Sequence, residues 1–590
     1  MDGVARALAV ILGSGTLMSV APAQEPKYSA DLMALLDPTT RVTNLCGGAG
    51  PGSMRANLAL AAMVVAGAEL PKPEPLVDGL GQVNFPITTS NPTAQRYFNQ
   101  GLGFAYGFNH AAAIAAFREA QRLDPQCAMC FWGEALAHGP NINAPMDPAA
   151  NARSVGLARY GAWLARKGTP VEQALTAAML KRYSPDTASD RAALDAAYAD
   201  AMLAVAKAFP QHDDAALLAA EAAMDTRPWD YWTADKQPQP RLGEAVQLVE
   251  TVYGRNPMHP QAAHLYIHLM ENGPDPKKAE AAADKLATPL APTAGHLVHM
   301  PAHIYYRLGR WKDSMRVNVD AARADEAWIK SSGDKGMVRY GYYPHNVHFI
   351  VTSAQMAGDM PTAIREAGKL STILDPKTSS EIGWIQAVNA APYFAAAQFA
   401  SPGQILAMTP PDARLPYPNA MRHYARAIAY ANQRNRAGFD RELGALQAAA
   451  KSGDFKTMID QGVPAPDLLQ LAETSARARW AYANGRFGEA VKLYQDAAAI
   501  ESKITYMEPP WWYYPVSQSL GAALYRAGRY DDAKAAFMTA LAHSPNNGWA
   551  LFGLAQTEQA LGNKAEAAAT RAALQKAWMG NPAWLKMDRL

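Results

Sequence analysis

The stretch "SLGAALYRAGRYDDAKAAFMTALAHSP" (519–545) decides the fold, because its small and aromatic residues recur elsewhere in the chain at the same spacing. The residues that mark this pattern are Gly521, Gly528, Ala533, Phe537, Ala540 and Pro545. Gly562 follows Gly528 by 34 residues, so the next unit keeps the same register. Alanine is abundant and runs of β-branched residues are few, which favours helix over strand. The sequence therefore predicts an array of short helical units.

Further copies of the pattern lie at "YFNQGLGFAYGFNHAAAIAAFREAQRLDP" (97–125), at "YANGRFGEAVKLYQDAAAI" (482–500) and, in degenerate form, at "RLGEAVQLVETVYGRNP" (241–257). These units resemble the tetratricopeptide repeat (TPR), and the chain as a whole resembles exported bacterial TPR-containing proteins. The resemblance implies an all-α fold, a right-handed α-solenoid of helical hairpins with loop insertions. A single hairpin cannot bury its apolar face alone, so we expect neighbouring hairpins to stack.

The predicted organisation has five segments. They are a signal peptide (1–23), an N-terminal extension with one amphipathic helix (24–90), N-terminal repeats (91–260), histidine-rich central repeats (261–375) and C-terminal repeats (376–590). Insertions rich in proline and aromatic residues interrupt the repeats at 227–240, 331–344, 408–418 and 506–515.

The N-terminus predicts export to the periplasm or the medium. Arg6 precedes the apolar stretch "ALAVILGSGTLMSV", and residues 21–23 read Ala-Pro-Ala, a pattern typical of signal-peptide cleavage. A first helix of the fold is the alternative interpretation of this stretch. The second apolar segment (54–70) is either a signal after a start at Met54 or an amphipathic helix, and it is too short and polar for a membrane span.

The charge balance and the cysteines limit the function classes. The net charge is +2 and the basic residues are scattered, so the sequence predicts no nucleic-acid partner. Because the segment 54–70 is a poor membrane span, no integral membrane segment is predicted either. Cys127 and Cys130 form a C-x-x-C pair, while Cys46 stands apart. Phe131 stands where a c-type haem motif requires histidine, so the pair is either a structural disulfide or two inert thiols.

Histidines are concentrated in three consecutive repeats of the central segment. Seven of the 13 histidines lie within 264–348, namely His264, His268, His296, His299, His303, His345 and His348. In the TPR family, positions 2, 5, 9, 12 and 13 of the first helix face the concave groove, and aligning the repeats places all seven on positions 2, 5 or 9. The alternative for each histidine is an ordinary core residue, but the core-facing positions already hold other side chains, such as Ala263 and Ile267.

This spacing suits metal coordination. Residues four apart share one helix face about 6 Å apart, and neighbouring helices pack at about 8–10 Å. Imidazoles from adjacent hairpins can therefore meet at one ion, and imidazole-rich sites suit copper, zinc or iron. Pro301 affects the repeat positions assigned to His296 and His299. A helix that starts at Pro301 would leave these two histidines on the preceding loop.

Other polar residues of the same repeats are candidates for catalysis. Glu221 and Asp225 lie four residues apart in the preceding repeat. They are expected to complete a metal shell or to act as a general base, a role for which Glu221 is the candidate, and the alternative is a solvated acidic helix face. Tyr306, Arg307 and Gln355 take positions 12 and 13 and are expected to orient a substrate.

Two functions compete at this point. The first is an exported TPR protein with a transition-metal site in its groove, acting as a metal-dependent oxidoreductase or hydrolase. The second, which the resemblance favours by default, is a non-enzymatic scaffold whose groove binds a protein, peptide or small-molecule ligand. Metal storage without turnover is a third possibility. Whether the protein is an enzyme at all stays open.

Overall fold

The computed structural model describes residues 75–186, 188–288 and 290–590. The predicted signal peptide, the predicted amphipathic helix at 54–70 and Cys46 lie outside the described residues. In the described part the chain is an all-helical TPR-like α-solenoid, as predicted, and the only β contacts there are two isolated bridges, at Asn141–Ala144 and Trp232–Pro238.

The marker residues of the repeat explain how each hairpin closes. In the hairpin of 92–123, a Cβ atom on Gly101 would lie 2.7 Å from the ring of Phe117. In the hairpin of 516–543, a Cβ atom on Gly521 would lie 2.8 Å from the ring of Phe537. Both phenylalanines are fully buried, so the ring of the second helix fills the space that glycine leaves on the first. The recurrence of small and aromatic residues is therefore a packing rule for helix pairs.

The N-terminal part consists of hairpins that stack in chain order, from the first repeat to residue 255. Its helices are α1 (Pro92–Tyr106), α2 (His110–Leu123), α3 (Ala128–His138), α4 (Asn151–Leu164), α5 (Pro170–Arg182), α6 (Arg191–Ala208), α7 (Asp213–Asp225) and α8 (Leu242–Arg255). Cys127 caps α3 and forms a disulfide with Cys130.

The central part contains the three histidine-bearing hairpins. Its helices are α9 (Pro260–Glu271), α10 (Glu280–Leu286), α11 (Gly295–His299), α12 (Pro301–Arg307), α13 (Trp311–Ser332), α14 (Tyr343–Ala357) and α15 (Met360–Ile373). Pro301 does open a helix, but His296 and His299 lie on the short helix α11 immediately before it. A π-helical turn, Val338–Tyr342, leads directly into α14.

The C-terminal part continues the stack to the end of the chain. Its helices are α16 (Pro376–Glu381), α17 (Gly383–Val388), α18 (Ala391–Phe399), α19 (Pro402–Ala407), α20 (Pro416–Asn432), α21 (Arg436–Ser452), α22 (Lys456–Asp460), α23 (Ala465–Ala483), α24 (Phe487–Glu501), α25 (Val516–Arg526), α26 (Tyr530–His543), α27 (Gly548–Ala560) and α28 (Lys564–Ala577).

The C-terminal hairpins fold back onto the central ones. The indole Nε1 of Trp549 donates to the carbonyl oxygen of Gln355 at 2.9 Å, and the backbone N–H of Met579 donates to the carbonyl oxygen of Ala357 at 2.8 Å. These bonds join α27 and the end of the chain to α14. The end of the chain therefore packs on α14, and the superhelix folds back onto its central part.

No helix in the described part of the chain has the length and hydropathy needed to span a bilayer.

Candidate metal centre

Six of the seven predicted histidines form two neighbouring groups of three. The first group is His264 and His268 on α9 with His296 on α11, and one ring nitrogen from each lies within 4.8 Å of the other two. The Nε2 atoms of His264 and His296 are 3.2 Å apart. We call these residues the first histidine group.

The second histidine group consists of His299 at the end of α11, His303 on α12 and His345 on α14, again with nitrogens within 4.8 Å of one another. The Nε2 atoms of His299 and His303 are 2.9 Å apart. Two nitrogens bound to one tetrahedral ion at about 2.0–2.1 Å would be about 3.3 Å apart. The nitrogen separations in both groups are therefore close to those of a coordination shell.

The two groups adjoin each other. The ring centroids of His268 and His303 are 5.9 Å apart, and those of His296 and His299 are 6.1 Å apart. The arrangement offers two metal positions side by side, the first with three imidazoles from two helices and the second with three imidazoles from three helices.

Amide side chains fix one imidazole of each group with Nε2 directed inward. Nδ1 of His264 donates to Oε1 of Gln261 at 2.8 Å, and Gln261 is oriented because its Nε2 donates to Glu221 at 3.0 Å. Nδ1 of His299 donates to Oδ1 of Asn318 at 2.6 Å, and Asn318 in turn donates to a backbone carbonyl at 2.7 Å. An imidazole that donates from Nδ1 carries its lone pair on Nε2, which is the form that binds metal.

Glu271 connects the two groups. Its Oε1 lies 2.7 Å from Nδ1 of His268 and its Oε2 lies 2.7 Å from Nδ1 of His303. Glu508, from the insertion at 506–515, lies 3.2 Å from the same nitrogen of His303. Glu271, His303 and Glu508 thus form a third set of adjacent donors, whose two carboxylates support the second histidine group.

The carboxylates of Glu271 and Glu508 hold a proton on His303. Burial would lower the pKa of His303, but the charges of Glu271 and Glu508 raise it to about 10. Burial would raise the pKa of Glu271, but His303 and His268 lower it to about 2. His303 is therefore a cation without metal, and it donates from Nε2 to His299. A bound metal ion would replace this proton with a larger positive charge.

The other imidazoles of the two groups are neutral, as ligands must be. Burial and the neighbouring imidazoles hold the pKa values of His264, His296, His299 and His345 well below the usual range. Burial also lowers the pKa of His268, against the pull of Glu271. Nε2 of His268 is buried and has no hydrogen-bond partner, an unmet acceptor that a cation would satisfy.

Aromatic rings shield both groups from water. Phe108, which adopts a left-handed φ of 53°, lies 4.7 Å from the ring of His264 and 5.2 Å from that of His296. Phe349 lies 4.8 Å from His299 and 5.0 Å from His303. Tyr342, on the π-helical turn, stacks on His296 at 4.7 Å. A strained residue and a π-turn at one site are typical of functional centres.

The residues predicted to be catalytic lie near the two histidine groups but do not belong to either group. Glu221 is half-buried. Desolvation of its carboxyl raises its pKa to about 7, and the carboxyl reaches His264 only through Gln261. Asp225 forms an ion pair with Arg182 at 3.0 Å. The ring of Tyr306 packs on Phe349, and Nε of Arg307 lies 3.8 Å from Glu508.

His348 belongs to neither group, and instead lines a small cavity beside His345. Sequence reasoning did not single out Gln261, Asn318, Glu508 or Phe108. Gln261 and Asn318 occupy ordinary helical positions, so the repeat register carried no signal for them. Glu508 could have been noticed as the acidic residue in "YMEPPWWYYP" (506–515).

The burial of the histidines is the main feature that the repeat register did not predict. His264 and His299 have no exposed surface, and His268, His296 and His303 retain at most 6%. The insertions at 227–240, 331–344 and 506–515 supply Trp229, Tyr342 and Glu508 to this region. The register was predicted from isolated repeats, whereas the burial follows from contacts between distant repeats.

Comparison with known proteins supports the repeat. The tetratricopeptide-repeat family model matches residues 524–586. The chain thus contains a TPR domain in its C-terminal part. No curated protein matches the sequence.

Several solved structures match most of the chain at low identity and low TM-score. The human IFIT1 dimer with m7Gppp-AAAA is 10% identical, with 92% of this chain and 98% of that chain covered and a TM-score of 0.28. Yeast Tom70 is 13% identical, with 84% and 94% covered and a TM-score of 0.26. The APC/C hetero-tetramer Cut9-Hcn1 is 14% identical, with 84% and 90% covered and a TM-score of 0.27.

Proposed function

We propose that the protein binds two transition-metal ions, one in each histidine group, and that the pair forms the centre of a metal-dependent oxidoreductase. The observation that carries the proposal is the convergence of six imidazoles from α9, α11, α12 and α14 into two sets of three, of which all but the partly exposed His345 are buried. Single buried histidines are common in helical cores. Two adjacent triplets with amide- and carboxylate-bound Nδ1 atoms are what a metal centre needs.

The donor set limits the metal. Each group offers three nitrogens and no carboxylate oxygen, which suits copper, zinc or iron and disfavours calcium and magnesium. The buried charge of Glu271 compensates that of the cations. Three protein ligands leave a coordination position for an exogenous molecule on each ion.

Redox chemistry fits the site better than hydrolysis. Phe108, Phe349 and Tyr342 pack against the imidazoles and keep the surroundings poor in water. A hydrolytic centre needs a metal-bound water and a path for bulk water to it. The identity of the bound metal distinguishes the two functions. Copper or iron would support the oxidoreductase, and zinc would support the hydrolase.

We further propose that the protein works outside the cytoplasm, in the periplasm or secreted. The apolar stretch after Arg6 and the disulfide between Cys127 and Cys130 both support this location, since disulfides persist in oxidising compartments.

The test is elemental analysis of protein purified from its own compartment. We expect about two transition-metal ions per chain in the wild type, and a loss of about one ion in His264→Ala and in His299→Ala. His543→Ala, which changes an exposed histidine on α26, is the matched control and should keep the wild-type content. Wild-type protein that stays free of transition metal after incubation with copper, zinc and iron would reject the proposal and leave a TPR scaffold that binds a partner.

A further inference from the structure

One aromatic side chain lies between the first histidine group and solvent. In the described part of the chain, the rings of Phe108, Tyr342 and Trp229 pack against this group. Phe108 and Tyr342 are buried, whereas Trp229 keeps 38% of its surface exposed. The indole meets the ring of His268 edge-on at 5.1 Å, and His268 itself is only 1% exposed. Trp229 therefore has solvent on one side and a proposed metal ligand on the other.

A hydrogen bond that rotation of the side chain would break holds the indole in this place. Nε1 of Trp229 donates to the carbonyl oxygen of Ile142 at 2.8 Å. The backbone of Trp229 has a left-handed φ of 65°, a strained conformation for a bulky residue that occurs mainly at functional sites. The insertion has a separate anchor, since Nε1 of Trp232 donates to the carbonyl oxygen of Leu269 at 2.8 Å. Trp229 can therefore rotate outward while the insertion stays on α9.

The histidine next to the indole is prepared to receive an ion. Nδ1 of His268 lies 2.7 Å from Oε1 of Glu271 and donates to it, so the lone pair of the ring is on Nε2. That Nε2 atom is buried and has no hydrogen-bond partner. His268 is the histidine of the first group whose ring contacts Trp229, so an ion that enters past the indole reaches it first.

The second histidine group has an exposed edge of its own. His345 is partly exposed, and its ring centroid lies 6.0 Å from that of Trp384, which is also partly exposed. An ion can therefore reach the second group without any movement of Trp229. The two groups differ in how they are closed, and the second group serves as an internal reference for the first.

We propose that Trp229 is the gate through which transition-metal ions enter and leave the first histidine group, and that His268 is the first ligand they meet. The inference rests on the proposed metal centre and adds the route by which its first position is filled. A gate raises the barrier between the free and the bound state but not the energy of either. It therefore changes the rates of uptake and release by the same factor and leaves the affinity unchanged.

The experiment measures exchange of cobalt(II) in the full-length protein. Uptake of added cobalt(II) and its release to excess chelator are both followed by the visible absorption of the bound ion, and the phase that is absent in His264→Ala reports the first group. We expect Trp229→Ala to speed uptake and release in this phase about tenfold, because opening no longer breaks the bond of the indole. The Kd and the other phase should stay as in the wild type.

A second variant and a control keep the test decisive. Trp229→Phe keeps a ring but loses the N–H, so its rates should lie between those of the wild type and Trp229→Ala. Trp163→Ala removes a partly exposed indole on α4 that stacks on Tyr160 at 5.7 Å, and it should exchange cobalt like the wild type.

Two results would overturn the gate while the metal centre stands. One is unchanged exchange rates in both Trp229 variants at wild-type cobalt content and helicity. The other is faster release without faster uptake, which would mean that Trp229 supports the bound state instead of covering it. Wild-type protein that binds no cobalt would reject the metal centre, and the gate with it.

Discussion

At the scale of single residues, the candidate centre depends on side chains that hold the imidazoles. Glu271 is the most important of these, because its two oxygens contact one histidine from each group. Gln261 and Asn318 have the same role for His264 and His299 without contributing charge. Ring orientation and protonation of the ligands are therefore set by residues that do not bind the metal themselves.

Replacing Glu271 tests this role. Glu271→Gln keeps the shape of the side chain but removes the charge that compensates the metal and polarises His268 and His303. We expect metal affinity, measured by competition with a chelator, to fall about 10- to 100-fold. Glu280→Gln, a half-buried position on α10 paired with Arg310, is the control and should bind metal like the wild type. Equal affinities in the two variants would contradict a positioning role for Glu271.

At the scale of helices, each hairpin is closed by small and aromatic residues, while the insertions between hairpins are anchored by polar contacts. Glu501 ends α24, and both of its carboxylate oxygens accept from the backbone N–H of Val516, at 3.2 and 3.0 Å. This contact ties the two ends of the segment 502–515, which carries Glu508 to the histidines.

The pH dependence of stability reports on Glu501. Burial raises the pKa of this carboxyl to about 8, above the value of about 4.3 for an unfolded chain. The folded state therefore holds the proton more tightly, and stability is lost as pH rises from about 4 through about 8. We expect Glu501→Gln to lose less thermal stability than the wild type between pH 6 and pH 9.

Melting temperatures recorded by circular dichroism at both pH values check this expectation. Glu489→Gln, an exposed residue of the same helix paired with Arg486, is the matched control. If Glu501→Gln and Glu489→Gln show the same pH dependence as the wild type, the carboxyl of Glu501 does not titrate in this range.

At the scale of the whole molecule, closure of the superhelix buries the centre. The contact between the end of the chain and α14 passes over Gly358, which ends that helix in the left-handed region with φ of 76°. A Cβ atom at this position would lie 2.2 Å from the ring of Trp578. The ring packs edge-on against Trp549 at 4.8 Å, so it has little freedom to move.

Substitution of this glycine tests the closure. We expect Gly358→Ala to lower the free energy of unfolding by about 2 kcal/mol, through backbone strain and overpacking against Trp578. Gly368→Ala on α15 introduces a Cβ with no atom within 4 Å and should raise it by about 0.5–1 kcal/mol. Urea unfolding followed by tryptophan fluorescence measures both, and shifts of equal sign would show that the end of the chain does not dock at Gly358.

The sequence by itself determined the helical repeat and the clustering of histidines. Glycine, alanine and aromatic residues at fixed spacing specify a hairpin locally, because the two helices of a unit are neighbours in the chain. Spacings of four residues also put His264 beside His268 on one face of one helix. The spacing accounts for the pairs His264–His268 and His299–His303, and the stacking of neighbouring hairpins adds His296 and His345 to them.

Only the tertiary structure decided that the centre is closed and how its ligands are held. Glu508 lies 205 residues from His303 along the chain, and Phe108 reaches His264 from the first hairpin. Repeat register describes each unit and its nearest neighbour, but the path of the superhelix accumulates small rotations over many units. Contacts between distant units therefore depend on the whole array, and they place the carboxylates, the aromatic rings and the cavity around the histidines.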